Sequence, residues 1–239
     1  MFTETMTSSE LLDEYCADLS EIQDMTLQFD RSDYITRYLW KRHKQSQVVV
    51  TKTLNTSRNN RYIGLLLYTQ SGTGKSRQWN MTSFHIGLMT TYRGTCAIAF
   101  YKQGKQALKF TQHFFKRYKE RFGKLADWQT RNSLMQARTV SDIISVYFKR
   151  NLSMTWIETK SVFRDKVHIF GPINDGVALL QWHKDRKLLQ ANTFVTMDML
   201  DEKQLQMVKY ARIYFSLSDA QRKKFRFPDF IQDDESNED

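Results

Sequence analysis

Cysteine, proline and glycine are all scarce in this sequence, at 2, 2 and 9 of 239 residues. Cys16 and Cys96 are too few and too far apart for a structural zinc site, and need no bridge. They are expected to be buried free thiols. So little glycine and proline excludes collagen-like repeats and extended low-complexity loops. Long hydrophobic runs are missing as well. The longest, such as Ile63 to Tyr68, falls far short of a bilayer span. The first helix carries acids where a signal peptide has a positive flank and an apolar run, which points to the cytoplasm. No internal repeat appears at any fixed period.

What is present is a core-forming composition, 41% hydrophobic and 13% aromatic, and a strongly segregated charge. Residues 1–30 hold eight acids and no Lys or Arg, and residues 225–239 hold six acids and one Arg. Between 31 and 224 that leaves 35 basic and 12 acidic residues, a formal +23. So basic a middle section suits a polyanion, and nucleic acid, RNA above all, is the expected partner. A soluble basic surface with no polyanion partner has the same composition. The composition divides the chain into an N-terminal helical hairpin (1–44), a basic α+β domain (45–224) and an acidic tail (225–239).

Thr7-Ser8-Ser9-Glu10 reads as a capping box for a helix ending near Asp30. A second helix follows, with Tyr34, Ile35, Tyr38 and Leu39 facing inward and Arg37, Lys41, Arg42 and Lys44 outward. The acidic first helix and the basic second are expected to pair with each other. From Gln47 the pattern becomes strand: 47–54, 61–69, 79–90, 95–101 and 106–111, joined by short polar turns. That argues for an antiparallel sheet with helices packed on one side, an α+β fold. Ser71-Gly72-Thr73-Gly74-Lys75-Ser76 lacks the glycine a phosphate-binding loop needs at position 69, and strand rather than helix follows it. It reads as a hairpin tip, and no nucleotide cofactor is expected.

Phe110 to Phe122 predicts a helix with Phe114, Phe115, Tyr118 and Phe122 on a buried face. His113, Arg117 and Arg121 form a basic stripe beside it, with Lys116 and Lys119 outward. Gly123 is a plausible stop. Helices are expected at 128–135 and from Thr139, which caps with Asp142. Further strands are expected at 155–161, 166–170, 177–182 and 188–195, and a last helix capped by Asp198. The tail after Pro228 is too acidic and too poor in apolar groups to fold.

Five scattered histidines and few clustered acids predict no metal site. Metal-free RNA cleavage needs only a proton acceptor, a proton donor and cations beside the phosphate. His113, Arg117 and Arg121 could fill those roles from one helix, with His168 or His183 as the second proton-transfer group. Binding without cleavage would use Lys102, Lys105 and Lys109, with Tyr92 and Arg93 at the preceding turn. Lys116, Lys119 and the cluster Arg222-Lys223-Lys224 complete that basic set.

The segment 113–122, His-Phe-Phe-Lys-Arg-Tyr-Lys-Glu-Arg-Phe, resembles a helix of uncharacterised bacterial phage and mobile-element proteins. Thr193-Phe194-Val195-Thr196-Met197-Asp198-Met199-Leu200, with Gln204 after it, resembles a later strand-to-helix segment of the same proteins. More distantly, the pair is similar to the small ribonuclease fold of RelE-type toxins and tRNA-cutting colicins. That resemblance implies metal-independent endoribonuclease chemistry, with His113, Arg117, Arg121 and Thr193 as catalytic residues. A non-catalytic nucleic-acid binder and a host-protein-binding accessory of a mobile element remain the alternatives.

Overall fold

A computed structural model describes residues 1–72, 78–101, 106–151, 169–222 and 224–226. The hairpin tip from residue 73, the strand expected at 155–161, His168 and the acidic tail from residue 227 lie outside the described residues. Two compact units are present: Met1–Lys109 with Lys184–Leu188, and Phe110–His183 with Leu189–Asp239. These units fall elsewhere than the composition boundaries at 44 and 224, because the N-terminal helices share a core with the strands that follow them.

In the first unit α1 (Ser8–Asp30) and α2 (Asp33–Trp40) precede β1 (Gln47–Asn55), β2 (Arg61–Ser71), β3 (Gln78–Thr91), β4 (Gly94–Tyr101) and β5 (Gln106–Phe110). The strands lie in sequence order, and β1 to β4 pair antiparallel. Thr7 and Glu10 form the expected capping box of α1. In β1 the buried residues alternate, Val48, Val50 and Leu54, as a half-buried strand requires. Opposite them Tyr62, Leu66 and Tyr68 of β2 face the same side. Leu11 and Ile22 of α1 join Leu54 and Tyr62 in one cluster. Ile35 and Leu39 of α2 join Val48, Val50, Leu66 and Tyr68 in another. Both helices therefore cover one face of the sheet.

The expected pairing of α1 with α2 through charge is not what forms. The α1 carboxylates instead grip the loop between β1 and β2. Asp18, fully buried, accepts from Asn60 Nδ2 and the Tyr62 hydroxyl at 2.7 Å and from Thr56 Oγ1 at 3.2 Å. Glu14 accepts from Asn60 Nδ2 at 2.8 Å and pairs with Arg58, and Glu21 accepts from the Ser57 amide and hydroxyl. A carboxylate aimed at a loop rich in donors finds more hydrogen bonds than one aimed at flexible, solvated lysines. Tyr34 is 58% exposed instead of inward. Cys96 is buried as expected, but Cys16 is exposed because it falls off the apolar stripe of α1.

The second unit holds α3 (Gln112–Leu125), α4 (Trp128–Gln136), α5 (Val140–Arg150), β6 (Ile169–Ile173), β7 (Gly176–His183), β8 (Leu188–Val195), α6 (Glu202–Ser216) and α7 (Asp219–Arg222). Strand β7 lies between β6 and β8, and β6 and β7 form an antiparallel hairpin. Phe110, Phe114, Phe115, Tyr118, Tyr147 and Phe148 make a mostly edge-to-face aromatic cluster with centroid spacings of 4.9–6.4 Å, closed by Phe194 of β8. Helix α6 adds Met207 and Val208 to Val177 and Val195. Its cap is Asp201, which forms a capping box with Gln204, and not Asp198, which lies in a single 3-10 turn at 197–199.

Candidate nucleic-acid interface

Helix α3 starts at Thr111, whose hydroxyl accepts from the Phe114 amide and donates to the carbonyls of Ala191 and Asn192 in β8. The start of the helix is thereby tied to the strand, and the 3.6-residue repeat sends Phe114, Phe115, Tyr118 and Phe122 into the core. The helix runs through Gly123 to Leu125. The stop expected at Gly123 does not occur, because Arg131 of α4 donates to the carbonyls of Gly123 and Lys124 and satisfies the helix end from outside.

Three of the four residues expected to be catalytic lie on α3, and they differ in availability. His113 is exposed. Arg117 pairs with Glu120 at 2.7 Å, an exposed i,i+3 contact. Arg121 is half-buried and donates to the Phe194 carbonyl; burial, and then the neighbouring Arg117 charge, pull its guanidinium below its ordinary pKa. Thr193 is not brought to them. Phe194 packs on Tyr118 of α3, and strand alternation sends the preceding side chain to the opposite face.

The expected basic set divides in the same way. Lys116 is exposed, and Lys119 donates to the Ala137 carbonyl at 3.0 Å. Lys109 must be removed from a surface set: it is 5% exposed, in a strand whose Ala107, Leu108 and Phe110 are also buried. Lys224 is exposed, and Arg222 lies in the one-turn helix α7. Lys102, Lys105 and Lys223 lie outside the described residues.

Sequence reasoning missed the polar network behind α3. Asp175, with its side chain 3% exposed, accepts from the Tyr118 hydroxyl at 2.7 Å and from Asn151 Nδ2 at 3.1 Å. Arg150 donates to both Asp175 oxygens at 3.0–3.1 Å and reaches Thr130 at 3.0 Å. Its guanidinium lies 5.0 Å from the centroid of the Phe122 ring. Burial, then the Asp175 charge, push the Tyr118 hydroxyl well above its ordinary pKa. The only sign of this in the chain was Asn174-Asp175-Gly176, which reads as a turn. Every donor here has a carboxylate to meet, so the network fixes the β6–β7 turn to α3 and α5.

The acids of α3 to α5 are few and all engaged. Residues 112–151 contain nine Lys and Arg against Glu120, Asp127 and Asp142 alone. Glu120 is paired with Arg117, Asp127 caps α4, and Asp142 closes the capping box of α5. A groove of about 370 Å³ between α3 and α4 is lined by Lys119, Glu120, Lys124, Arg131, Leu134 and Met135. Trp128, at the first turn of α4, is 79% exposed. Among the described residues, no group of three or more His, Cys, Asp or Glu is placed to hold a metal ion, and no helix is long and apolar enough to cross a membrane. No protein-family model, no curated protein and no solved structure matches this chain.

Proposed function

We propose that this chain binds nucleic acid, with RNA as the substrate class, through the basic face of α3, α4 and α5. The observation that carries the reading is the imbalance just described. Nine cations sit in a 40-residue helical layer whose three acids are all engaged in caps or ion pairs. An excess of nine cations over three carboxylates attracts phosphate and gains affinity by counterion release. Lys124 and Arg131 line a groove, and Trp128 offers an exposed ring for base stacking. Binding is favoured over cleavage because Arg121 is held by a carbonyl and Thr193 lies on the far face of its strand.

The test is retention of a labelled 20-nucleotide RNA in EDTA over a series of salt concentrations. Wild type should bind with affinity falling steeply as salt rises. Lys116→Ala/Lys124→Ala should weaken binding and flatten the log–log slope by roughly one to two units. No binding at low salt would overturn the proposal. Cleavage in EDTA that His113→Ala abolishes would replace it with the ribonuclease reading.

A further inference from the structure

The cations of α2 were expected to be neutralised by α1, and they are not. Among the described residues no ion pair joins an α1 carboxylate to Arg37, Lys41, Arg42 or Lys44; the ion-paired carboxylates of α1, Glu14 and Asp18, go to Arg58 and the chain's amino group. Residues 31–44 contain five Lys and Arg and the single acid Asp33. Ile35 and Leu39 are buried, so the helical repeat aims Arg37 directly away from the core. Lys41 and Tyr34 flank Arg37 on one side and Trp40 on the other. Trp40 is 76% exposed and Tyr34 58%.

Aromatic rings at such exposure on a cationic face leave apolar area in water that a partner could cover. Tyr34 is also held in an ordered row. Phe29, Tyr34 and Tyr38 form a stacked row with centroid spacings of 6.0 and 5.9 Å and ring planes 26° and 28° apart. The Arg42 guanidinium lies 3.7 Å over Tyr38 at one end, and the Lys52 ammonium lies 5.2 Å over Phe29 at the other. The row is complete in itself, with both faces of Tyr34 used within it, which leaves the Trp40 ring as the open stacking surface.

We infer that the outer face of α2 and the turn after it (41–44) is a binding site for single-stranded nucleic acid, with a base stacking on Trp40 and phosphates meeting Arg37, Lys41 and Lys44. An exposed ring with cations before and after it along the chain suits a strand whose bases and phosphates alternate, and a ring can stack on a base only where that base is unpaired. The inference rests on the nucleic-acid reading above but uses a separate surface in the other compact unit.

The experiment compares full-length wild type with Trp40→Ala, Trp40→Phe, Arg37→Ala/Lys41→Ala and Lys116→Ala/Lys124→Ala. The probes are labelled 20-nucleotide oligo(U) and oligo(dT) and a 20-base-pair duplex. Trp40→Ala should weaken single-strand binding about tenfold and leave duplex binding unchanged. Trp40→Phe should retain most of the affinity but lose part of the tryptophan quenching seen on binding. Arg37→Ala/Lys41→Ala should flatten the salt slope for oligo(U) by roughly one unit. Because all these side chains are outside the core, circular dichroism and the melting temperature should match wild type. If wild type binds but the α2 variants bind oligo(U) equally well, this site is overturned while the α3–α5 proposal stands. If Trp40→Ala loses single-strand and duplex binding alike, the stacking role is overturned. If wild type binds none of the probes, both proposals fall.

Discussion

The Tyr118 hydroxyl donates to Asp175, 57 residues further along the chain, at 2.7 Å. The bond joins the buried face of a basic helix to the tip of a β-hairpin. Asp175→Ala would leave the Arg150 guanidinium and the Tyr118 hydroxyl without their shared acceptor. We expect a loss of about 3–5 kcal/mol in denaturant unfolding. Asp175→Asn keeps two acceptor pairs on one oxygen and should cost less. A loss under 1 kcal/mol in the alanine variant would mean that water replaces the carboxylate.

The two arginines beside Tyr118 should separate cleanly. Arg121 is half-buried on the Phe194 carbonyl, so Arg121→Ala should cost about 1–2 kcal/mol. Arg117 makes only an exposed pair with Glu120, and Arg117→Ala should cost under about 0.5 kcal/mol. Thermal melts of the two single variants decide this, and equal losses would refute the assignment.

Gly176 is the close approach of the β7 start to β8. A Cβ added there would lie 2.5 Å from the Val195 carbonyl oxygen and 2.8 Å from Cζ of Phe194. Gly176→Ala should destabilise by about 1–3 kcal/mol or more, since a backbone atom must give way. An unchanged melting temperature would show that the hairpin shifts freely.

Acid should loosen the first unit in two stages. His85 is buried between the Tyr15 hydroxyl and Thr26 Oγ1, each at 3.3 Å, and burial lowers its pKa from 6.5 to about 4. Above pH 6.5 the ring is neutral in both the folded and the unfolded chain, and the stability is fully present. As pH falls from 6.5 through 4 only the unfolded chain takes the proton, and on the order of 2–3 kcal/mol is lost. Glu14 follows between 4.5 and about 2, where the hydrogen bond from the chain's amino group, with those from Asn60 and Arg58, outweighs its burial. Urea midpoints measured at pH 7, 5 and 4 should fall for wild type and stay flatter for His85→Gln.

Secondary structure was legible in this chain where one periodicity dominated. Strand β8 has the bounds expected for it, and the buried stripe of α3 lies where the 3.6-residue repeat puts it. Helix ends were harder to read. Gly123 looked like a stop, but the end was set by Arg131, eight residues on, through carbonyls that no local pattern reveals. Asp201 displaced Asp198 as a cap because both offer the same carboxylate near the same helix, and only one precedes the capping-box glutamine at the right spacing. The candidate site was half legible. Spacing reveals the α3 cations, but the charge of Lys109 suggests a surface position while its strand is buried on both sides of it. The Asp175 network joins residues 24–57 apart, beyond any periodic signal.

The grip of α1 on the β1–β2 loop also orders events in time. Asp18 and Glu14 meet partners 38–46 residues away, and those partners exist as a set only after the hairpin has closed on itself. A helix capped at Thr7 can form early, yet it has nothing to hold until Asn60 and Tyr62 are in register. We expect docking of α1 to fall on the native side of the folding barrier. Removing a carboxylate at 18 would leave the refolding rate nearly untouched and make the protein unfold faster.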